Sequence, residues 1–314
     1  MKNANAEHLF GGAWTDLKIR AIAEYLQFYT SALKVQPSPE TPFQTWYIDA
    51  FAGSGERTEY RDVGDLISGV PFGREKVRIE GSARRAIRIE PHFRHIVFIE
   101  QNRTRHNALQ ALAAQFPDRD IRALKGDANE ELKKVFTSQP WTGVSRGLQR
   151  AVVFLDPYGM SVKWKTFRLL AETGKVDVWY LFPLHAVLRQ LARDFAAVDT
   201  AKTASLNEIF GRSDWQTDLY RPRSAPADLF AYQPAGKERV VGKEEVQAYF
   251  KERLESLFPY VSDPVPLLTG RGLQQFSLFC ACANPNKRAQ DLIKKGVDHV
   301  VRKYTPASHR KSCP

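Results

Sequence analysis

The longest regular signal in the chain is an apolar stripe at Ile19, Ile22, Leu26, Tyr29 and Leu33, at helical spacing. It predicts an amphipathic helix over residues 14–33, with Thr15 placed to cap it. A connection carrying Pro37, Pro39 and Pro42 follows, and the pattern then changes to short β-branched and aromatic runs. The first ends at Asp49, the second is His95–Glu100, the third 121–124, the fourth 151–155 and the fifth Val176–Phe182. The fourth is apolar throughout, as strands buried on both faces are. Helical spacing between the runs predicts helices over 82–89, capped by Ser82, and over 103–116, 130–136 and 162–173, the last stopped by Gly174. This alternation predicts an α/β fold with a mostly parallel central sheet, right-handed crossovers and helices on both faces.

Two stretches break the alternation. Residues 56–80 are polar and hold Gly64, Gly69, Pro71 and Gly73, which predicts a long inserted loop. After Phe182 come three helical stretches (185–198, 204–210 and 243–258), parted by a polar segment rich in Pro and Arg. A strand over 274–283 and a helix over 287–295, ended by Gly296, close the pattern. The expected division is 1–183 for an N-terminal helix plus the α/β core, 184–272 for a helical insertion or cap, and 273–314 for the core's final strand and helix with a basic tail.

Composition changes this picture in three places. The chain has 314 residues, 43% hydrophobic and 26% charged, which is ordinary for a soluble globular protein. Its most apolar run, 178–188, contains Pro183 and His185 and is too short to span a bilayer, and the first ten residues hold no apolar leader. A cytoplasmic protein with no membrane segment is expected. Cys280, Cys282 and Cys313 make no C-x-x-C pair, so reduced thiols and no metal site are expected. On a strand, Cys280 and Cys282 would share one face. The net charge of +11 gathers in two places: Lys287, Arg288, Lys294, Lys295, Arg302, Lys303, Arg310 and Lys311, and Arg84, Arg85, Arg88, Arg94, Arg103 and Arg105. Such clustering suits a polyanion, RNA or DNA.

The candidate chemistry lies at the strand ends. Tyr47-Ile48-Asp49-Ala50-Phe51-Ala52-Gly53-Ser54-Gly55 reads as a buried strand running into a glycine turn, and in open α/β sheets ligands lie outside the carboxyl ends of the strands. The third glycine of G-x-G-x-x-G is replaced by Thr58, which disfavours NAD or FAD and favours a smaller nucleoside-like cofactor. Four strands in succession end in or just before an acid: Asp49, Glu100, Asp127 and Asp156. Glu100 is placed to accept two ribose hydroxyls, and Asp127 to meet an adenine amino group. Trp164 and Trp179 read as packing residues.

This order of motifs resembles that of the S-adenosylmethionine-dependent methyltransferases. Asp49-x-Phe51-x-Gly53-Ser54-Gly55 looks like their first motif and Glu100, with Gln101 beside it, like the second; Asp127 and Ala128 resemble the adenine side. Asp156-Pro157-Tyr158 resembles the D-P-P-Y/F motif of enzymes methylating exocyclic amines of nucleobases, with the aromatic third instead of fourth. A narrower resemblance rests on Trp14-Thr15-x-x-Lys18, the F-A-G-x-G, Phe98-Ile99-Glu100, Asp156-Pro157-Tyr158-Gly159 and Ala283-Asn284-Pro285. Together these look like the three-Cys-motif partner proteins, which are bacterial and phage-associated. The resemblance implies a Rossmann-like methyltransferase fold and S-adenosylmethionine as cofactor. It implies Asp156, Pro157 and Tyr158 as catalytic residues, Lys18 near the methionine carboxylate, and a partner protein with a three-cysteine motif. The alternative is a methyltransferase-fold binding module for cofactor or nucleic acid that acts with a partner without turnover.

Overall fold

Strand β1 (Gln44–Asp49) sends Trp46 and Ile48 to one side and Tyr47 to the other, and all three are buried. A strand covered on both faces needs a layer of helices on each side, and the rest of the chain supplies them. A computed structural model describes residues 13–64, 71–223, 236–269 and 272–304. The segment 224–235, the first twelve residues and the tail with Arg310, Lys311 and Cys313 lie outside the described residues.

Before β1 stands α1 (Ala13–Leu33), and after it come β2 (Glu56–Gly64), β3 (Pro71–Glu80), α2 (Ser82–Ile87), β4 (His95–Glu100), α3 (Arg103–Ala113) and β5 (Asp120–Lys125). Then follow α4 (Ala128–Thr137), β6 (Gln149–Leu155), α5 (Trp164–Glu172), β7 (Val176–Phe182) and α6 (Leu184–Gln190). The last part holds α7 (Thr200–Phe210), α8 (Trp215–Leu219), β8 (Tyr220–Pro222), β9 (Lys237–Arg239), α9 (Lys243–Glu255), β10 (Tyr260–Val261), β11 (Val265–Leu268), β12 (Gln274–Cys282) and α10 (Lys287–Tyr304).

Among the described residues, eight strands form one sheet in the order β10-β12-β7-β6-β1-β4-β5, with β11 also paired to β12. The strands from β7 to β5 are mutually parallel, while β12 runs antiparallel to β7 and to both short strands. One face is packed by α1, α2, α3 and α10, the other by α4 to α9, each with its own apolar cluster. The expected mostly parallel α/β sheet with helices on both faces is therefore the observed fold. Cys280 and Cys282 are buried on the α1/α10 face together, as strand spacing requires, and Trp164 and Trp179 are both buried core residues. No helix among the described residues is long and apolar enough to cross a membrane.

Five expectations about the elements need correction. Thr15 does not cap α1, which is already helical from Ala13 and leaves the Thr15 hydroxyl without a hydrogen bond among the described residues. Residues 56–64 and 71–80 are not loop: β2 and β3 pair antiparallel as a hairpin with Glu56 opposite Glu80. The alternation of Val77 and Ile79 with Lys76, Arg78 and Glu80 has the period of a strand, but it is short and diluted by charge. The helix after β12 does not stop at Gly296. It continues to Tyr304, and Gly296 serves packing instead: a Cβ there would fall 2.3 Å from the Phe28 ring, so glycine lets α10 cross α1 closely. The predicted helix over 185–198 ends at Gln190, and three residues on the Arg193 carbonyl accepts from the Arg239 amide of β9 rather than from a further helical turn. A 3-10 turn over Phe195–Ala197 follows, capped by Asp194. Finally, 184–272 is not helices alone. It holds the β8–β9 hairpin, and β10 and β11 belong to the central sheet.

Asp177, the second residue of β7, is buried, and the Tyr25 hydroxyl donates to it at 2.7 Å. Burial pushes its carboxyl up from 3.8 to about 6, against the pull of Tyr25, Cys282 and Arg150. The folded chain therefore keeps a proton there that the unfolded chain has released, and stability falls as pH rises from about 4 to about 6. Asp177→Asn is expected to remove up to about 3 kcal/mol of that fall, measured by denaturant unfolding at steps between pH 4 and 7. An unchanged slope would contradict the assignment of a buried, protonatable Asp177.

Candidate active site

From β1 the chain moves outward to β4 and β5, then returns to β6 on the other side of β1 and on to β7. The strand order reverses between β1 and β6, and such a switch point opens a crevice at the carboxyl ends of the strands. Asp49 and Asp156 end these two neighbouring strands. Asp49 is wholly buried. Its Oδ1 accepts the Phe51 amide at 3.2 Å and its Oδ2 accepts the Ser82 hydroxyl at 2.6 Å. Burial, with a smaller push from Asp156, raises its carboxyl from 3.8 to about 6 against the opposing pull of Ser82, the Phe51 amide and Lys18. Asp49 thus anchors the turn from below and offers no exposed edge to a ligand. Ser82 serves this carboxylate rather than capping α2, whose N-cap position is Gly81.

The two glycines of the turn have different surroundings. Both have positive φ, 64° at Gly53 and 76° at Gly55, a backbone region that favours glycine. A Cβ on Gly55 would meet the movable end of the Leu112 side chain, Cδ2, at 2.9 Å, so its φ more than its packing calls for glycine, while nothing lies within 4 Å of a Cβ on Gly53. Phe51 and Ser54 beside them are half-buried. The Gly81 amide donates to the Gly55 carbonyl at 3.0 Å, closing the base of the hairpin. Because the chain enters β2 directly after Gly55, Thr58 lies in a strand, and no helix starts where a dinucleotide fingerprint places one.

Asp156 follows β6 directly, and its Oδ2 is ion-paired with the Lys18 ammonium, itself only 4% exposed on α1. Pro157 is buried and Tyr158, directly after it, is 59% exposed. Arg105, from the first turn of α3, donates to the Tyr158 hydroxyl at 2.8 Å, with its guanidinium 5.4 Å from the ring centre. Lys18, Asp156 and Tyr158 come from distant parts of the chain and are joined here.

Glu100 is 6% exposed, and its Oε1 accepts the Asn102 amide at 2.8 Å, which fixes the carboxylate over the end of β4. Gln101 next to it is exposed. Asp127 caps α4, taking the Asn129 and Glu130 amides on one oxygen, and Ala128 is buried in the first turn. Sequence reasoning missed Asn129. Its side chain is buried, donates to the Ser161 carbonyl at 3.0 Å, and accepts from the Lys163 amide and, at 2.8 Å, from the Thr166 hydroxyl. It thereby ties the loop after Tyr158 to α4. Its Nδ2 also donates to Asp127 Oδ1 at 3.2 Å, but nothing in the local sequence marks the tie to the loop, because the Ser161, Lys163 and Thr166 partners lie more than thirty residues away.

No family model and no curated protein matches the chain. Similar solved structures include protein LPL1258 from Legionella pneumophila, 11% identical, with a TM-score of 0.48 over 95% of this chain and 94% of that one. An S-adenosylmethionine-dependent methyltransferase from Clostridium acetobutylicum is 9% identical, with a TM-score of 0.34 over 84% and 92%. The YcgJ protein from Bacillus subtilis is 11% identical, with a TM-score of 0.29 over 82% and 95%. None of these likenesses extends beyond the course of the chain.

Asn129→Ala is expected to cost about 1–3 kcal/mol, since it leaves buried partners unpaired, and to loosen the 157–163 loop more than the rest. Denaturant unfolding measures the first and amide exchange the second. Uniform exchange across the chain would contradict a local role for Asn129.

Proposed function

We propose that the chain is an S-adenosylmethionine-dependent methyltransferase whose acceptor is an exocyclic amine of a nucleobase in RNA or DNA. The observation that carries this reading is the pairing of Asp156 with Lys18 at the switch point, beside an exposed tyrosine and a glycine turn with open space at Gly53. The residues fit the cofactor. Gly53 leaves room for close approach to the backbone, Glu100 ends the adjacent strand where a ribose would sit, and Asp127 and Ala128 open the next helix. When bound, S-adenosylmethionine supplies an electrophilic methyl group on a sulfonium. The chain's own task is then to hold an amine lone pair in line, and positioning of this kind can contribute roughly 7–11 kcal/mol.

Asp156 has the chemistry for that task. Lys18 engages Oδ2, and a carboxylate carries a second oxygen with its own lone pairs that can accept an amine N–H. The Pro157 carbonyl is a second acceptor, and the exposed Tyr158 ring, steadied by Arg105, is a platform for a base taken out of its stack. The basic side chains support a nucleic-acid acceptor: Arg103 beside the site and Lys294, Lys295, Arg302 and Lys303 on α10 are exposed. One observation favours a second reading, a binding module that acts with a partner protein without turnover. The carboxylate an acceptor would need is already engaged by Lys18. The resemblance to three-Cys-motif partner proteins names one class of partner, a protein with a three-cysteine motif.

The two readings separate on one pair of variants. Asp156→Ala is expected to leave S-adenosylmethionine affinity within about twofold by calorimetry and to lower methyl transfer to RNA or DNA by at least about a hundredfold, as for an interaction used in the transition state. Gly53→Val is expected to abolish cofactor binding in a chain that still folds, at a strain of about 1–2 kcal/mol. Full transfer by Asp156→Ala would end the catalytic assignment, and cofactor binding by the wild type with no transfer to any nucleic acid would leave the binding module. Nucleic-acid affinity is expected to fall steeply with salt. Neutralising Lys294, Lys295, Arg302 and Lys303 together should flatten that slope, as read by fluorescence anisotropy between low and high salt.

A further inference from the structure

The sheet has a second concavity at the opposite end, where β1, β6 and β7 begin. It measures about 480 Å³ and lies between the C-terminal half of α1, the start of α10 and the strand ends. That volume is within the range of small-molecule sites. Its walls are apolar: Phe28 and Leu33 from α1, Phe43 before β1, and Leu292 and Ile293 from α10. Its floor is charged, with Arg150, Lys175 and the buried Asp177. Asn284, in the Ala283-Asn284-Pro285 motif that plays no part in the proposed chemistry, forms the rim. Its Oδ1 accepts the Asn286 amide at 3.0 Å, and its carbonyl accepts from the Gln290 side chain.

Arg150 is held firmly. Its Nη1 donates to the Gly147 and Gln149 carbonyls, and its guanidinium lies 4.0 Å from the centre of the Phe43 ring. Lys175 is different. Among the described residues no carboxylate pairs with its ammonium, and its charged form is disfavoured by burial and by the nearby Arg150 and Arg146. Asp177 is ionised above about pH 6. At neutral pH the floor therefore carries two cations against one anion. A single negative charge balances it, while a doubly charged phosphate would leave an excess of negative charge facing Asp177.

We propose that this cavity is a binding site for a small amphipathic monocarboxylic acid, its carboxylate meeting Lys175 and Arg150 and its ring or short alkyl chain lying between Phe28, Leu33 and Phe43. The site is separate from the switch-point crevice. Arg150 and Asp156 stand at opposite ends of β6, about 20 Å apart at the usual rise per residue, so its occupancy can be read independently of cofactor binding.

The test uses the full chain with 3-phenylpropanoate and hexanoate as probes, their primary amides as uncharged matches, and inorganic phosphate as competitor, followed by saturation-transfer NMR. At least one acid is expected to bind saturably, its amide at least about tenfold more weakly, and phosphate is expected not to displace it. Lys175→Gln is expected to weaken the acid by at least about tenfold, the equivalent of 1.4 kcal/mol, with S-adenosylmethionine affinity unchanged. Ala32→Phe, which fills the cavity from α1, is expected to abolish acid binding while far-UV circular dichroism stays the same. The proposal is overturned if neither acid binds, if the amide binds as well as its acid, if phosphate displaces the acid, or if a folded Lys175→Gln binds with wild-type affinity.

Discussion

The structure depends on a carboxylate that must be satisfied where water cannot reach it. Asp49 ends the central strand in a fully buried position, and a buried charged or polar group is costly unless it is hydrogen-bonded. The Phe51 amide and the Ser82 hydroxyl both reach it, and they come from the two sides of the inserted hairpin. The glycine turn is thereby fastened to β1 at one end and to α2 at the other. The hairpin can leave the core between them without disturbing the turn, because its base is closed by the bond between Gly81 and Gly55. The crevice owes its shape to this anchoring, since Gly55 packs inward on Leu112 while Gly53 faces open space.

A second tie crosses the switch point. Lys18 brings α1 to Asp156, joining the first helix of the chain to the end of a strand formed much later. Tyr25, further along the same helix, donates to Asp177 at the start of β7. One helix therefore holds polar groups at both ends of the sheet, and its apolar stripe packs the middle. The close crossing of α1 and α10 at Gly296 lets Phe28 pack closely while it still lines the second concavity. The two concavities are thus products of the same packing, at opposite ends of β6.

Much of this was legible in the chain itself. Strands β4 and β7 have the predicted bounds, and the other parallel strands and their helices differ only by a few residues at their ends. Strands buried on both faces and helices with one apolar stripe write their period directly into the sequence. Gly174 at the end of α5, with φ 63°, was legible for a similar reason, since a left-handed residue after a helix calls for glycine. The acids at the strand ends and the F-A-G-x-G turn also declared themselves.

What only the tertiary structure decided is partnership between distant residues. The pairing of Lys18 with Asp156, the hold of Asn129 on the loop after Tyr158, and the contact of Arg105 with Tyr158 join positions tens of residues or more apart. No local period encodes them. Gly296 looked like a helix end because glycine is a poor helix former, yet α10 runs through it where a neighbouring ring leaves no space for a side chain. The hairpin after Gly55 was hidden because its alternation is brief and largely charged. The sequence by itself determined which segments are strands and helices and which residue types gather at the strand ends. The sheet order, fixed by packing two apolar faces at once, decided which of those residues meet.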